Sequence, residues 1–241
     1  MRKIFLAISC CLFALTSCEI DNYEGPDASI HGYILDEKTG DQVGTDIQNG
    51  SAIIVVEQGW TNPQDQTWSI MNTGEYRNNM IFAATYDVRF ENCNFYPFSI
   101  DDFVVKEGNN EYNFEVTPYI RVLNSSITKN GNTITATFSL EGGKDEVKLK
   151  EIQLFAFGDK WVGNNVKYTL EGTGHVQTFN PSIAIDPTTT YTLTIDLTEN
   201  ASIFPYAKNY YFRIGALADV SGVGTVRYNY AEPLTVIKLN E

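Results

Sequence analysis

From residue 52 onward the chain is a succession of short runs rich in β-branched and aromatic residues, each closed by Gly, Asn, Asp or Pro. They are "AIIVVEQ" (52–58), "TYDVRF" (85–90), "EYNFEVTPY" (111–119), "NTITATFSL" (132–140), "EIQLFAF" (151–157), "TYTLTIDLT" (190–198), "NYYFRIGALA" (209–218) and "PLTVIKL" (233–239). Branched and flat side chains pack well on a pleated surface, and their partial period-two alternation gives each run one buried face. No stretch keeps apolar residues at i, i+3, i+4 and i+7 over three turns, so helices are expected to be short and few. The pattern predicts an all-β chain. "TKNGNT" (128–133) predicts a hairpin, because Asn130-Gly131 can supply positive φ angles between Ile127 and the alternating Ile134, Ala136 and Phe138.

The opening segment is of another kind. "MRKIFLAISCCLFALTS" (1–17) carries Arg2 and Lys3, then an apolar stretch from Ile4 to Leu15, then small residues, which is the three-part layout of a secretory signal. Its apolar stretch falls short of the roughly 20 residues that span a bilayer as a helix. Leu15-Thr16-Ser17-Cys18 resembles the bacterial lipobox, in which the cysteine takes a thioether-linked diacylglycerol and becomes the new N-terminus. The expectation is a lipid anchor at Cys18 and membrane attachment through it. Residues 18–28, "CEIDNYEGPDA", are acidic with a Gly-Pro pair and suit a tether.

The net charge of −13 becomes more negative once Arg2 and Lys3 are removed, which opposes binding to nucleic acid or to anionic surfaces. With Cys10 and Cys11 in the signal and Cys18 carrying lipid, Cys93 has no partner for an intrachain disulfide. The length beyond the signal suits two domains of about 100 residues each. "EVTPYIRV" (115–122) is the expected join, because Pro118 cannot donate within a central ladder. The domains are therefore placed at 29–118 and 119–241, with a short link open to proteolysis between them.

"IHGYILDEKTGDQVGT" (30–45), "AIIVVEQGW" (52–60), "TGEYRNNMIFAATYDVRF" (73–90) and "VVKEGNNEYNFEVTPY" (104–119) together resemble the carboxypeptidase-regulatory-like, transthyretin-type sandwich. Gln42-Val43 stands where that family usually has Pro-Leu, and Ala84 replaces a usual glycine. The second half, with "YYFRIGALA" and "RYNYAEPLTVIKL", is similar to a fibronectin-type-III-like sandwich. The whole arrangement resembles a Bacteroidetes family of two-domain lipoproteins, a domain-of-unknown-function family, encoded beside the TonB-dependent transporter and glycan-capture lipoprotein of Sus-like polysaccharide-utilisation systems. That resemblance implies an outer-membrane lipoprotein facing the cell surface, engaged in glycan acquisition and without established catalytic residues. Glu19, Asp21 and Glu24 are compatible with an acidic surface-export signal and equally with a solvated tether.

No motif for catalysis emerges. His31 and His175 lack metal-type spacing, no Gly-x-Ser-x-Gly elbow is present, and Asp101-Asp102, being adjacent on a strand, should point to opposite faces. Glycoside hydrolysis is therefore a remote alternative, and no cofactor is implied. Asp36, Glu37 and Asp41 offer oxygen ligands but not the alternating acidic pattern of a calcium loop. Binding remains. Trp60 and Trp68 bracket the polar stretch "GWTNPQDQTW", and Trp161 lies in "GDKWVGNN". An indole can stack on the apolar face of a sugar while Asn62, Gln64, Asp65 and Asn164 bond its hydroxyls, so these seven residues are the expected polysaccharide site. The competing expectation is a structural lipoprotein that docks on the transporter complex and has no sugar site. Exposure of the three tryptophans on one face would separate the two.

Overall fold

The computed structural model describes residues 24–240, so Cys18 and most of the tether lie outside the described residues. Those residues form strands with no helix. The first half contains β1 (Ala28–Asp36), β2 (Ala52–Glu57), β3 (Asp65–Ser69), β4 (Glu75–Ile81), β5 (Thr85–Glu91), β6 (Ser99–Val104), β7 (Gly108–Glu111) and β8 (Phe114–Val116). One sheet has the order β4-β1-β7, with β8 following β7 along the same side of β1, and the facing sheet has the order β3-β2-β5-β6. The second half contains β9 (Ile120–Asn130), β10 (Thr133–Gly142), β11 (Lys148–Phe157), β12 (Val176–Ala184), β13 (Tyr191–Asp196), β14 (Lys208–Asp219), β15 (Asn229–Tyr230) and β16 (Thr235–Leu239). Its sheets are β13-β10-β9 and β12-β11-β14-β15, with β16 also on β14. Every sheet draws its strands from one side of Pro118.

Alternation produces the cores. In β1, Ala28, Ile30 and Ile34 point inward, and in β5 Tyr86, Val88 and Phe90 do the same. The first core is strongly aromatic: Phe90 packs on Phe95, Phe98 and Phe114, and Trp68 stacks on Tyr76. In the second half Ile134, Ala136, Phe138 and Leu140 of β10 meet Ile152 and Leu154 of β11 and Tyr210, Phe212 and Ile214 of β14. Each buried Val, Leu, Ile or Phe among them contributes about 1.5 to 3 kcal/mol through burial.

Three local expectations are corrected. The turn between β9 and β10 falls one residue later than expected: Thr133 pairs with Asn130, and only Gly131 takes positive φ (58°), so Asn130 stays in the strand. Asp101 and Asp102 are both exposed, because Asp102 adopts φ 55° at a bulge between β5 and β6 and the simple alternation fails there. The join is not an open link, since Pro118 is buried and Tyr119 and Ile120 are packed into the second core.

Candidate functional site

The two sandwiches meet end to end through buried polar groups. Phe212 and Ile214 of β14 face their own core, and Arg213 between them reaches the first sandwich with no part of its side chain exposed. Its guanidinium donates to the Thr45 carbonyl at 3.1 Å and the Asn72 carbonyl at 2.8 Å, pairs with Glu232, and lies over the Tyr230 ring at 4.0 Å. Gly44 makes this approach feasible, because a Cβ there would come within 2.4 Å of both the Arg213 guanidinium and the Glu232 carboxylate. A buried charge persists only where such partners surround it.

Asn94 forms a second link. Its amide donates to the carbonyls of Gly44 (2.7 Å) and Tyr228 (3.1 Å), and its own carbonyl accepts from the Asn229 amide at 2.7 Å. Tyr230 donates its hydroxyl to Asp46 at 2.8 Å. A third link is the forked pair of Arg121 with Asp36, at 2.5 and 2.7 Å, both side chains being buried. The hydrogen bonds that Arg121 donates to Asp36, with the charge of that carboxylate, raise the Arg121 pKa above its ordinary value. Lys38 pairs with Glu141 at 2.8 Å across the same junction and, with Arg121, holds the Glu141 carboxyl below the usual carboxylate range.

A cleft of about 610 Å³ opens beside this junction. That volume suits a small ligand or a short stretch of a polymer. Arg121 and Asp36 line its depth, Ile120 and Val122 provide apolar wall, and Asp41, Gln42, Thr73 and Glu232, the last paired with the buried Arg213, stand exposed at the rim. Burial pushes the Glu232 carboxyl up, and Arg213 draws it back only in part. The rim exists because residues 37–42 turn tightly after β1, with Asp36 accepting from the Lys38 amide at 2.9 Å and Gly40 at φ 75°. Polar rim groups above an apolar wall can bond hydroxyls and cover hydrophobic faces of one ligand together.

The sequence-predicted site is dispersed. Trp60 is 65% exposed in the β2–β3 turn, with its indole N–H on Glu57 at 3.0 Å. Gln64 donates to the carbonyls of Asn62 and Pro63, and Asp65 is paired with Arg89, so these polar neighbours are engaged within their own hairpin and sheet. Trp68 requires correction: it belongs to β3, is 1% exposed, stacks on Tyr76 and meets Tyr86 edge-on, and so offers no face to a sugar. Trp161 is half-buried beneath Lys160, whose carbonyl accepts from Asn72, and thus sits at the junction, at the opposite end of the first sandwich from Trp60. Asn164 is also at the junction, its amide N–H on the Tyr230 hydroxyl and its side-chain oxygen accepting from Lys167. The cleft residues were missed, although Arg121 and Arg213, single cations inside apolar strand runs, signal buried partners.

Two tandem all-β sandwiches locked around a polar cleft define a fold class that by itself fixes no activity. A model of the DUF3823 N-terminal domain, from a protein of unknown function, matches residues 28–117, and one of the C-terminal domain of unknown function, DUF3823_C, matches residues 120–233. The chain belongs to the DUF3823 family. Among solved structures, a Bacteroides uniformis protein described as a "putative carbohydrate binding protein" is 69% identical over 89% of this chain and all of its own, with a TM-score of 0.86. DUF3823 family proteins from Bacteroides ovatus (20% identical, TM-score 0.70) and Parabacteroides merdae (17%, 0.69) likewise match over 89% of this chain and all of theirs, and share the fold. No curated protein matches the chain.

Proposed function

We propose that this protein is a non-catalytic, carbohydrate-binding lipoprotein of the outer-membrane surface, accessory to a Sus-like polysaccharide-utilisation system, and that it holds glycan in the cleft between its sandwiches. The observation that carries this is the cleft itself: about 610 Å³, with exposed Asp41, Gln42 and Thr73 at its rim and fixed walls contributed by both domains. Its carboxylates favour holding over chemistry, since buried Asp36 is paired with Arg121 and Glu232 is tied to Arg213. Support comes also from the 69% identical Bacteroides uniformis protein, described as a "putative carbohydrate binding protein". The lipobox at Cys18 and the resemblance to Sus-linked lipoproteins support the location and the partners, a TonB-dependent transporter and its glycan-capture lipoprotein.

Calorimetric titration with a panel of host and plant polysaccharides tests it. One ligand of the panel should bind, and Asp41→Ala with Gln42→Ala should weaken it about ten-fold, the loss of roughly 1.4 kcal/mol. A wild-type protein that binds none of the panel, or rim variants that bind as well as wild type, would remove the cleft from this role.

A further inference from the structure

The end of the first sandwich away from the junction carries an unpartnered apolar surface. Trp60, Met80, Phe82 and Val104 are exposed by 65, 76, 41 and 60%, and among the described residues only Tyr206, at 68%, joins Met80, Trp60 and Val104 at that level. Hydrogen bonds and pairing place these four together at one end. Gln58 donates to Thr85 and Val105 to Ala84, Val104 pairs with Thr85, the Phe82 carbonyl accepts from Tyr86, and Ile81, next to Met80, pairs with Ala28 at the start of β1. The chain enters the fold at this same end: Asp27 accepts from the Ala83 amide through its carboxylate at 2.7 Å and from the Gly108 amide through its carbonyl at 2.9 Å.

We propose that Trp60, Met80, Phe82 and Val104 form a tip that seats on the lipid bilayer to which the chain is anchored. This rests on the lipobox assignment of Cys18. Residues 19–26 separate that cysteine from Asp27 and reach about 30 Å at full extension, so the tip stays close to the membrane surface at high effective concentration. Indole and methionine side chains with a polar margin suit the headgroup boundary, and Glu57 keeps the Trp60 N–H on the wet side. Asp27 on the Ala83 amide, Glu57 on the Trp60 indole, and Asp87 and Asp102 on the Gln58 side chain make the margin of the tip acidic, which favours a zwitterionic surface over an anionic one.

The full-length protein, purified with its lipid and placed in nanodiscs of ordinary or brominated phosphatidylcholine, provides the test. Mass spectrometry of Cys18 comes first; an unmodified cysteine overturns the anchor and the tip with it. With lipid present, tryptophan emission should be quenched in the brominated discs, the quenching should be lost in Trp60→Phe, and it should fall in Met80→Ser with Val104→Ser. Trp68 in the core and Trp161 at the junction remain as internal references. Equal emission of the lipidated protein in both discs overturns the tip alone and leaves the anchor standing. Emission insensitive to bromine but altered by polysaccharide would assign Trp60 to sugar instead. Glycan binding in the cleft is measured separately and stands or falls by its own titration.

Discussion

Replacing Arg213 with Met removes a charge while keeping most of the side-chain stem. The guanidinium lost is fully buried and serves the Thr45 and Asn72 carbonyls, the Glu232 carboxylate and the Tyr230 ring at once. Glu232 retains 27% side-chain exposure and can take up water, so its share of the loss is partly recovered. The Thr45 carbonyl loses its Arg213 partner, worth about 1 to 3 kcal/mol when left unsatisfied, while the Asn72 carbonyl keeps the Thr45 amide at 3.2 Å. The total should be about 3 to 5 kcal/mol, the range for a buried pair broken on one side. Urea unfolding followed by tryptophan emission and by far-ultraviolet dichroism should show one coincident transition in the wild type. In the variant the midpoint should fall and the two signals should separate, because the tryptophans report mainly on the first sandwich and the junction. The cost should shrink when Glu232→Gln is already present, since the pair shares one interaction. A midpoint unchanged within error, or an identical cost in both backgrounds, would show that Arg213 does not join the domains.

Trp68→Ala should cost about 3 to 5 kcal/mol in thermal unfolding, as for a buried aromatic cut to alanine, and should leave any glycan affinity of the folded protein unchanged. Cys93 is 1% exposed and burial pushes its thiol up to about 11, so alkylating reagents at pH 8 should label it only as fast as the protein opens, with prompt labelling of the native protein as the contrary result. His175 is held below its ordinary value by burial and then by Lys167, so the unfolded chain binds the proton more readily. Stability should therefore be lost as pH falls below about 6.5, and His175→Gln should flatten melting temperature between pH 8 and 5 compared with wild type.

The strands that were legible in the sequence are those whose burial follows composition. β2, β5, β10, β11, β13 and β14 coincide with β-branched and aromatic runs. β3 and β12 were not legible, because "DQTWS" buries Trp68 alone and "VQTFNPSIA" is mostly exposed around Pro181. An edge strand held by backbone pairing needs little apolar content, and such a strand reads as a loop. That is how Trp68 came to resemble a ligand-stacking residue. The cleft was less legible still: Asp36 and Arg121 are 85 positions apart in sequence, and nothing local reveals that they meet. The unusual cations within apolar runs were the available sign, since a charge surrounded by Tyr, Phe and Ile must find a partner elsewhere.

β1 acts as a ruler. Its nine residues begin beside Asp27 at the apolar end and finish at Asp36 in the cleft, and at about 3.3 Å per residue they set the two some 30 Å apart. Because Arg121 grips the last of those residues from the second sandwich, this spacing carries over to the second sandwich. With its tip seated on the bilayer, a lipid-anchored chain of this build would carry its cleft at a set height above the headgroups, beyond the reach of the tether's own slack. Lengthening residues 19–26 would let the molecule wander sideways, whereas only a change in strand length would alter the elevation at which the cleft meets its ligand.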